Sequence, residues 1–173
     1  TSDAVNYVQN LEDPTRIKLR TARLDVYNRA MNESPAQRLR YASKVASVAN
    51  GWKKWQGEVR GLKRLNAIEK KKAFEKDFNA WAQDKEEYRD VLAQLKKTYA
   101  DIKDLNLSYT YLSEAIFASD LMNQVKNVAN IISLSEKNGK NEAEIVALTE
   151  KFYNSLQNYY SKDYVNHRKV DKE

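Results

Sequence analysis

The chain has 173 residues, 42% of them apolar and 31% charged, with 30 Lys and Arg against 24 Asp and Glu. Two prolines and four glycines are too few turn formers for a many-stranded sheet, so the composition points to an all-α protein. Its length allows one core that needs no metal or disulfide staple.

Cysteine is absent, which excludes disulfides, thiolate nucleophiles and cysteine-ligated metals together. No apolar run approaches the length of a membrane span. The chain starts at Thr1 without an initiator Met or a signal-like stretch and stops on "KVDKE", the pattern expected of a piece of a longer protein. The formal charge of +6 is a modest excess over a heavily charged surface, which attracts anionic partners by steering more than by contact. In "EKKKAFEK", residues 69–76, lysines alternate with glutamates at helical spacing and read as a solvated face.

In chain order, Asp13-Pro14 sets a capping side chain before a proline at the first helical position. Ser34-Pro35-Ala36-Gln37 repeats the arrangement with a capping-box glutamine. Between them Ile17, Leu24, Tyr27 and Met31 share a stripe, predicting a helix over 14–32. Next, Tyr41, Val45, Val48, Trp52, Trp55, Val59 and Leu62 step by alternating fours and threes. They predict one long central helix over about residues 35–65, ~45 Å long at 1.5 Å per residue.

Phe74, Phe78 and Trp81 continue a stripe that Tyr88, Leu92, Leu95, Tyr99 and Ile102 resume. Between the two lies Asp84-Lys85-Glu86-Glu87 with capping-box spacing, so a helix either runs through or restarts there. From Tyr109 to about Lys137 a helix carries Leu112, Ile116, Leu121, Val125, Val128 and Ile132 inward, and Asn138-Gly139 ends it as a left-handed C-cap. Asn141, with Glu144 three residues on, caps a last helix bearing Ile145, Leu148, Phe152, Leu156 and Tyr159. Without repeat, low-complexity tract or linker, residues 1–173 read as a single domain, an antiparallel bundle of five or six helices.

Chemistry is sparse. The one histidine, His167, lies among Asn166, Arg168 and Lys169 and reads as solvated. Glu86-Glu87 and the pair Asp101 and Asp104 have lysines nearby and read as surface rather than metal ligands. Gly51, Gly57 and Gly61 follow no strand, so they form no phosphate loop. No catalytic residue, metal ligand or cofactor site is expected, and the chain by itself reads as non-enzymatic.

The anomaly is the long helix, which holds three glycines, each costing about 0.8–1 kcal/mol against alanine. At ~100° per residue, Ser43, Ala46, Asn50, Gly57 and Gly61 gather opposite the large apolar side chains and form a shallow strip that a backbone can approach closely. Either a neighbouring helix of the same bundle packs there, or a visitor does. Asn50 stands in the middle of the strip, where a buried amide needs partners, since leaving it unpaired costs about 1–3 kcal/mol.

The stretch "RYASKVASVANGWKKWQGEVRGLKRL" resembles the helical domain of bacterial dipeptidyl peptidases of serine peptidase family 46, the dipeptidyl-peptidase 7/11 family. The likeness is specific over about residues 38–65, through Tyr41-Ala42-Ser43-Lys44, Asn50, Trp52-Lys53 and Gly57. Elsewhere Phe78-x-x-Trp81 and the later Tyr-rich helices agree in character and order. Ala49 stands where the pattern has serine, and Gly51 where a bulkier residue is common.

The resemblance implies a chymotrypsin-type double barrel that carries the catalytic triad, with a helical domain inserted to cap the substrate cleft. This chain matches only part of that cap, so some core is expected to lie exposed. It further implies that Asn50 helps hold the α-amino group of a peptide with a free N-terminus, with Ser43, Trp52, Gly57 and Gly61 lining the cleft or packing behind it. Trp52 and Trp55 read as bracing the bundle. Lys53, Glu58 and Arg60 either pair with one another or with the absent barrels, or simply lie at the surface. The implied partners are the peptide, the double-barrel domain and a second copy in a homodimer, in the periplasm or at the cell surface.

The alternative is a basic helical module that binds nucleic acid or an acidic protein, recognisable by steep salt dependence. A third possibility is a purely structural bundle, with Asn50 hydrogen-bonded inside its own fold.

Overall fold

The computed structural model describes residues 1–138, 142–161 and 165–173, without the side chains of 137–138 and 165–167. Helix follows helix: α1 (Ser2–Tyr7), α2 (Asp13–Glu33), α3 (Pro35–Arg64), α4 (Ala67–Ala82), α5 (Val91–Tyr111), α6 (Asp120–Asn138), α7 (Glu142–Tyr160) and α8 (Val165–Lys172). Two π-helical segments interrupt them, Val8–Glu12 and Leu112–Ile116. The protein is all-α, with no strand among the described residues, and the predicted long helix is α3. Short α1 and α8 join the longer helices that the apolar stripes outline. The helices group into two compact units, Thr1–Tyr111 and Leu112–Glu173.

The first unit is organised by the α2–α3 hairpin. Ser34 is extended, and its hydroxyl accepts from the Gln37 N–H at 3.2 Å, with Pro35 at the first helical position as its fixed φ favours. The reciprocal half of the capping box is missing, because the buried Gln37 Oε1 has no partner among the described residues. Pairs across the hairpin run in opposite directions along the two helices, as antiparallel packing demands. The Tyr27 and Tyr41 rings meet at 5.5 Å near the turn, and Trp52 reaches Thr21 further along. Tyr41 is fully enclosed, and Ala30 and Val48 are buried beside the same seam.

The expectation that Asp13 caps α2 is overturned. The chain is already helical from Ser2, and Asp13 keeps helical dihedrals while its N–H donates to the Val8 carbonyl five residues back. A proline ring in a regular α-helix collides with the carbonyl four residues earlier. The wider π turn just before Pro14 makes room for the ring without ending the helix. Asp13 is consequently 1% exposed rather than at a helix mouth.

Beyond α3 the chain turns at Asn66, a left-handed residue with φ 50°, which asparagine tolerates better than most side chains. Helix α4 stops at Ala82 and α5 begins at Val91, so the stripe does break near Asp84, but the new helix starts after the acidic run rather than on it. Lys85 closes the end of α4, donating to the Trp81 carbonyl at 2.6 Å with its ammonium 4.1 Å from the centre of the Trp81 ring. The α4 and α5 stripes are only partly covered, with Phe74, Trp81 and Leu105 all more than half exposed.

In the second unit, the helix predicted over 109–137 is divided. The Phe117 N–H reaches back five residues to Leu112, and α6 starts afresh at Asp120. Its free amides are capped twice. The Ser119 hydroxyl accepts from Met122, and the Asp171 carboxylate accepts from Asp120 and Leu121 at 2.6 and 2.9 Å. Asp171 also accepts from the Tyr159 hydroxyl, and Gln124 donates to Ser155 between α6 and α7. The expected caps at Asn138-Gly139 and Asn141 involve positions outside the described residues.

Candidate functional site

The two sides of α3 differ in what they meet. On the packed side, Trp52 Nε1 donates to Thr21 Oγ1 at 2.9 Å, which aims the indole at α2. The Arg20 guanidinium lies over the Trp55 ring at 4.3 Å, with that of Arg16 at 5.1 Å. Arg20 Nη1 also donates to the Val48 carbonyl at 3.2 Å. It does so across Gly51, where a Cβ would collide with the guanidinium. Gly51 is therefore explained inside the fold, since its missing side chain lets an arginine of α2 reach the backbone of α3.

Gly57 and Gly61 have no such neighbour. A Cβ at either position meets nothing within 4 Å. Asn50, Ser43, Ala46 and Gly57 are exposed and Gly61 is half-buried. The strip read from the sequence thus exists as a solvent-facing flank rather than a second buried face, and among the described residues nothing lies against it at these glycines. The cost in helix propensity, about 2 kcal/mol over the two glycines, has no compensating contact among the described residues.

Among the other predicted residues, Lys53, Glu58 and Arg60 are exposed, as are Glu86, Glu87, Asp101 and Asp104. Asp101 pairs with Lys97 at 2.9 Å. The side chain of His167 is outside the described residues. Among the described residues, no cluster of three His, Asp or Glu is placed to hold a metal, and no helix is long and apolar enough to cross a membrane.

Two features escaped the sequence reading. The Arg16 and Arg20 stack on Trp55 had only one signal, their spacing of four on a helix whose apolar stripe is thin. The other is Asp13, which has the sequence context of a cap but lies inside the helical run. Its carboxyl is pushed up to about 6 by burial, then by the negative charge of Glu58, with Arg16 and Lys54 opposing. Arg16 comes only to 3.7 Å of Oδ1, and Oδ2 has no partner among the described residues. Separately, a polar cleft of about 630 Å³ is lined by Ser2, Lys72, Glu75, Arg89 and Asp90 among others, and Glu75 accepts from both the backbone and the hydroxyl of Ser2. None of the residues predicted for substrate contact lines it.

The family model described as Peptidase S46 matches residues 1–173. The chain belongs to the peptidase S46 family. It is 37% identical over 156 residues to an Asp/Glu-specific dipeptidyl-peptidase of Flavobacterium psychrophilum, a match covering 88% of this chain and 21% of that protein. It is 36% identical over 129 residues to the dipeptidyl-peptidase 7 of Porphyromonas gingivalis, covering 73% of this chain and 18% of the relative. An Asp/Glu-specific dipeptidyl-peptidase of Capnocytophaga gingivalis is 32% identical over 143 residues, 80% of this chain and 20% of that protein. The chain thus spans about a fifth of the length of these S46 relatives.

Proposed function

We propose that this chain is a non-catalytic helical part of a serine dipeptidyl peptidase, covering the substrate cleft and helping to hold the α-amino group of the peptide. An enzyme that releases dipeptides must count from the free amino terminus. A neutral amide oxygen accepts from an ammonium without the desolvation cost of a buried carboxylate. The observation that carries the reading is the open flank of α3, where Asn50 is exposed and Gly57 and Gly61 face empty space. A closed bundle has no use for such a strip, whereas a cap over a cleft does. The relatives, all dipeptidyl-peptidases by name, support the reaction class, and two of the three are Asp/Glu-specific.

In this reading the catalytic serine, its base and the oxyanion donors lie on other parts of the protein, which acts on peptides in the periplasm or at the cell surface. Trp52 and Trp55, held by α2, keep α3 rigid beneath the substrate and do not touch it. In the intact protein, Asn50→Ala lowers kcat/KM for peptides with a free amino terminus by about 1–3 kcal/mol of transition-state binding. N-acetylated peptides, which present no ammonium, serve as the comparison. An unchanged kcat/KM removes Asn50 from the site.

A further inference from the structure

The excess of positive charge is not evenly distributed. Residues 35–76 hold twelve Lys and Arg against three Asp and Glu, while in the rest of the chain acidic residues outnumber basic ones, 21 to 18. Much of that excess lies on the open flank of α3. At ~100° per residue, the side chains within about 60° of the Gly57 direction include Leu39, Ser43, Ala46 and Asn50 in the N-terminal half. In the C-terminal half they are Lys53, Lys54, Gly57, Arg60, Gly61 and Arg64. No carboxylate falls in this sector; the nearest on the helix, Glu58, points about 100° away. Lys53, Lys54, Arg60 and Arg64 are all exposed. The flank is therefore polarised, uncharged up to Asn50 and purely cationic beyond it.

We propose that this flank is a track for oligopeptides, receiving the amino end near Asn50 and drawing the carboxylates of the peptide toward Arg60 and Arg64. The inference rests on the dipeptidyl-peptidase reading and adds a preference that the amine contact alone does not supply. Charge complementarity fixes the direction. An ammonium is repelled by the cationic half and belongs at its uncharged end, while a carboxylate gains from the opposite end.

Length follows from the helix. Arg60 and Arg64 lie ten and fourteen residues past Asn50, or ~15 and ~21 Å along the axis at 1.5 Å per residue. An extended peptide rising ~3.3 Å per residue spans that distance in about five to six residues. The track thus matches short peptides whose terminal carboxylate falls over the two arginines.

The test uses the intact protein and one hexapeptide sequence with neutral side chains, made with a free terminal carboxylate and as the terminal amide. The readout is the ratio of kcat/KM for the two forms, which is insensitive to the fraction of protein folded. The acid is cleaved about three- to tenfold more efficiently at low ionic strength, and the gap narrows as salt screens the exposed cations. Arg60→Gln with Arg64→Gln brings the ratio toward one. Removing two exposed cations of α5 instead, Lys96→Gln with Lys103→Gln, leaves it in place.

A native ratio near one, or a ratio indifferent to the arginine pair, overturns the track while the dipeptidyl-peptidase reading stands. Failure to release a dipeptide from either form overturns that reading and the track with it. A single-stranded oligonucleotide that binds the native protein more tightly than the acid hexapeptide, and is lost in the arginine variant, assigns the flank to a polyanion and also overturns the track.

Discussion

Gly51 and Gly57 are six residues apart on one helix and teach opposite lessons. At Gly51 the missing Cβ is claimed by the Arg20 guanidinium, which passes over it to the Val48 carbonyl and the Trp55 ring. At Gly57 it is claimed by nothing among the described residues. The same residue type thus marks internal packing on one flank and an unoccupied surface on the other. Only the neighbours distinguish them, because helix propensity charges both positions equally.

An electrostatic cost sits beside the packed flank as well. Asp13 rises to about 6 in the folded chain, above the ordinary carboxylate value it keeps when unfolded. Its contribution to stability is whole below the unfolded pKa and is lost as pH rises through about 6. Asp13→Asn is therefore expected to stabilise the chain toward urea at pH 8 by up to about 3 kcal/mol, with the advantage gone near pH 4. A destabilised variant at pH 8 would reveal a favourable partner for Asp13 and reverse this view of the packed side.

Alanine at the two glycines sharpens the contrast by its sign. Gly51→Ala gains about 1 kcal/mol in propensity. It displaces a charged hydrogen bond and a cation–π contact that together contribute more than that, so the hairpin loses about 1 kcal/mol. Gly57→Ala keeps the propensity gain and stabilises by about 0.8–1 kcal/mol. Urea midpoints that moved in the same direction for both variants would erase the distinction.

The sequence made α3 legible because local rules agreed along it: Ser34 and Pro35 at its start, and a regular stripe ending near Leu62. Rules failed where a distant or wider contact intervened. Asp13-Pro14 has the composition of a cap, but a π turn upstream carried the helix through it. The continuous stripe from Tyr109 hid the restart at Asp120, because of its two caps only the Ser119 hydroxyl is local, while the Asp171 carboxylate lies some fifty residues later in the chain. At the candidate site the strip could be read from spacing alone. That its glycines have different causes could not, since the arginine that explains Gly51 belongs to α2. Nor does a periodic pattern say whether a second small face is covered, and here it is open at Gly57 and Gly61.

If the open flank of α3 faces a peptide, a bulky side chain placed on it by Gly57→Leu in the intact protein obstructs that peptide. The variant is expected to be at least as stable as the native protein, because its new Cβ meets nothing within 4 Å and helix propensity improves. A loss of about tenfold or more in kcat/KM for free-amino peptides is also expected, as the side chain fills the flank ~10 Å, two helical turns, from Asn50. A stable Gly57→Leu protein that cleaves peptides at the native efficiency would show that no peptide lies along this flank.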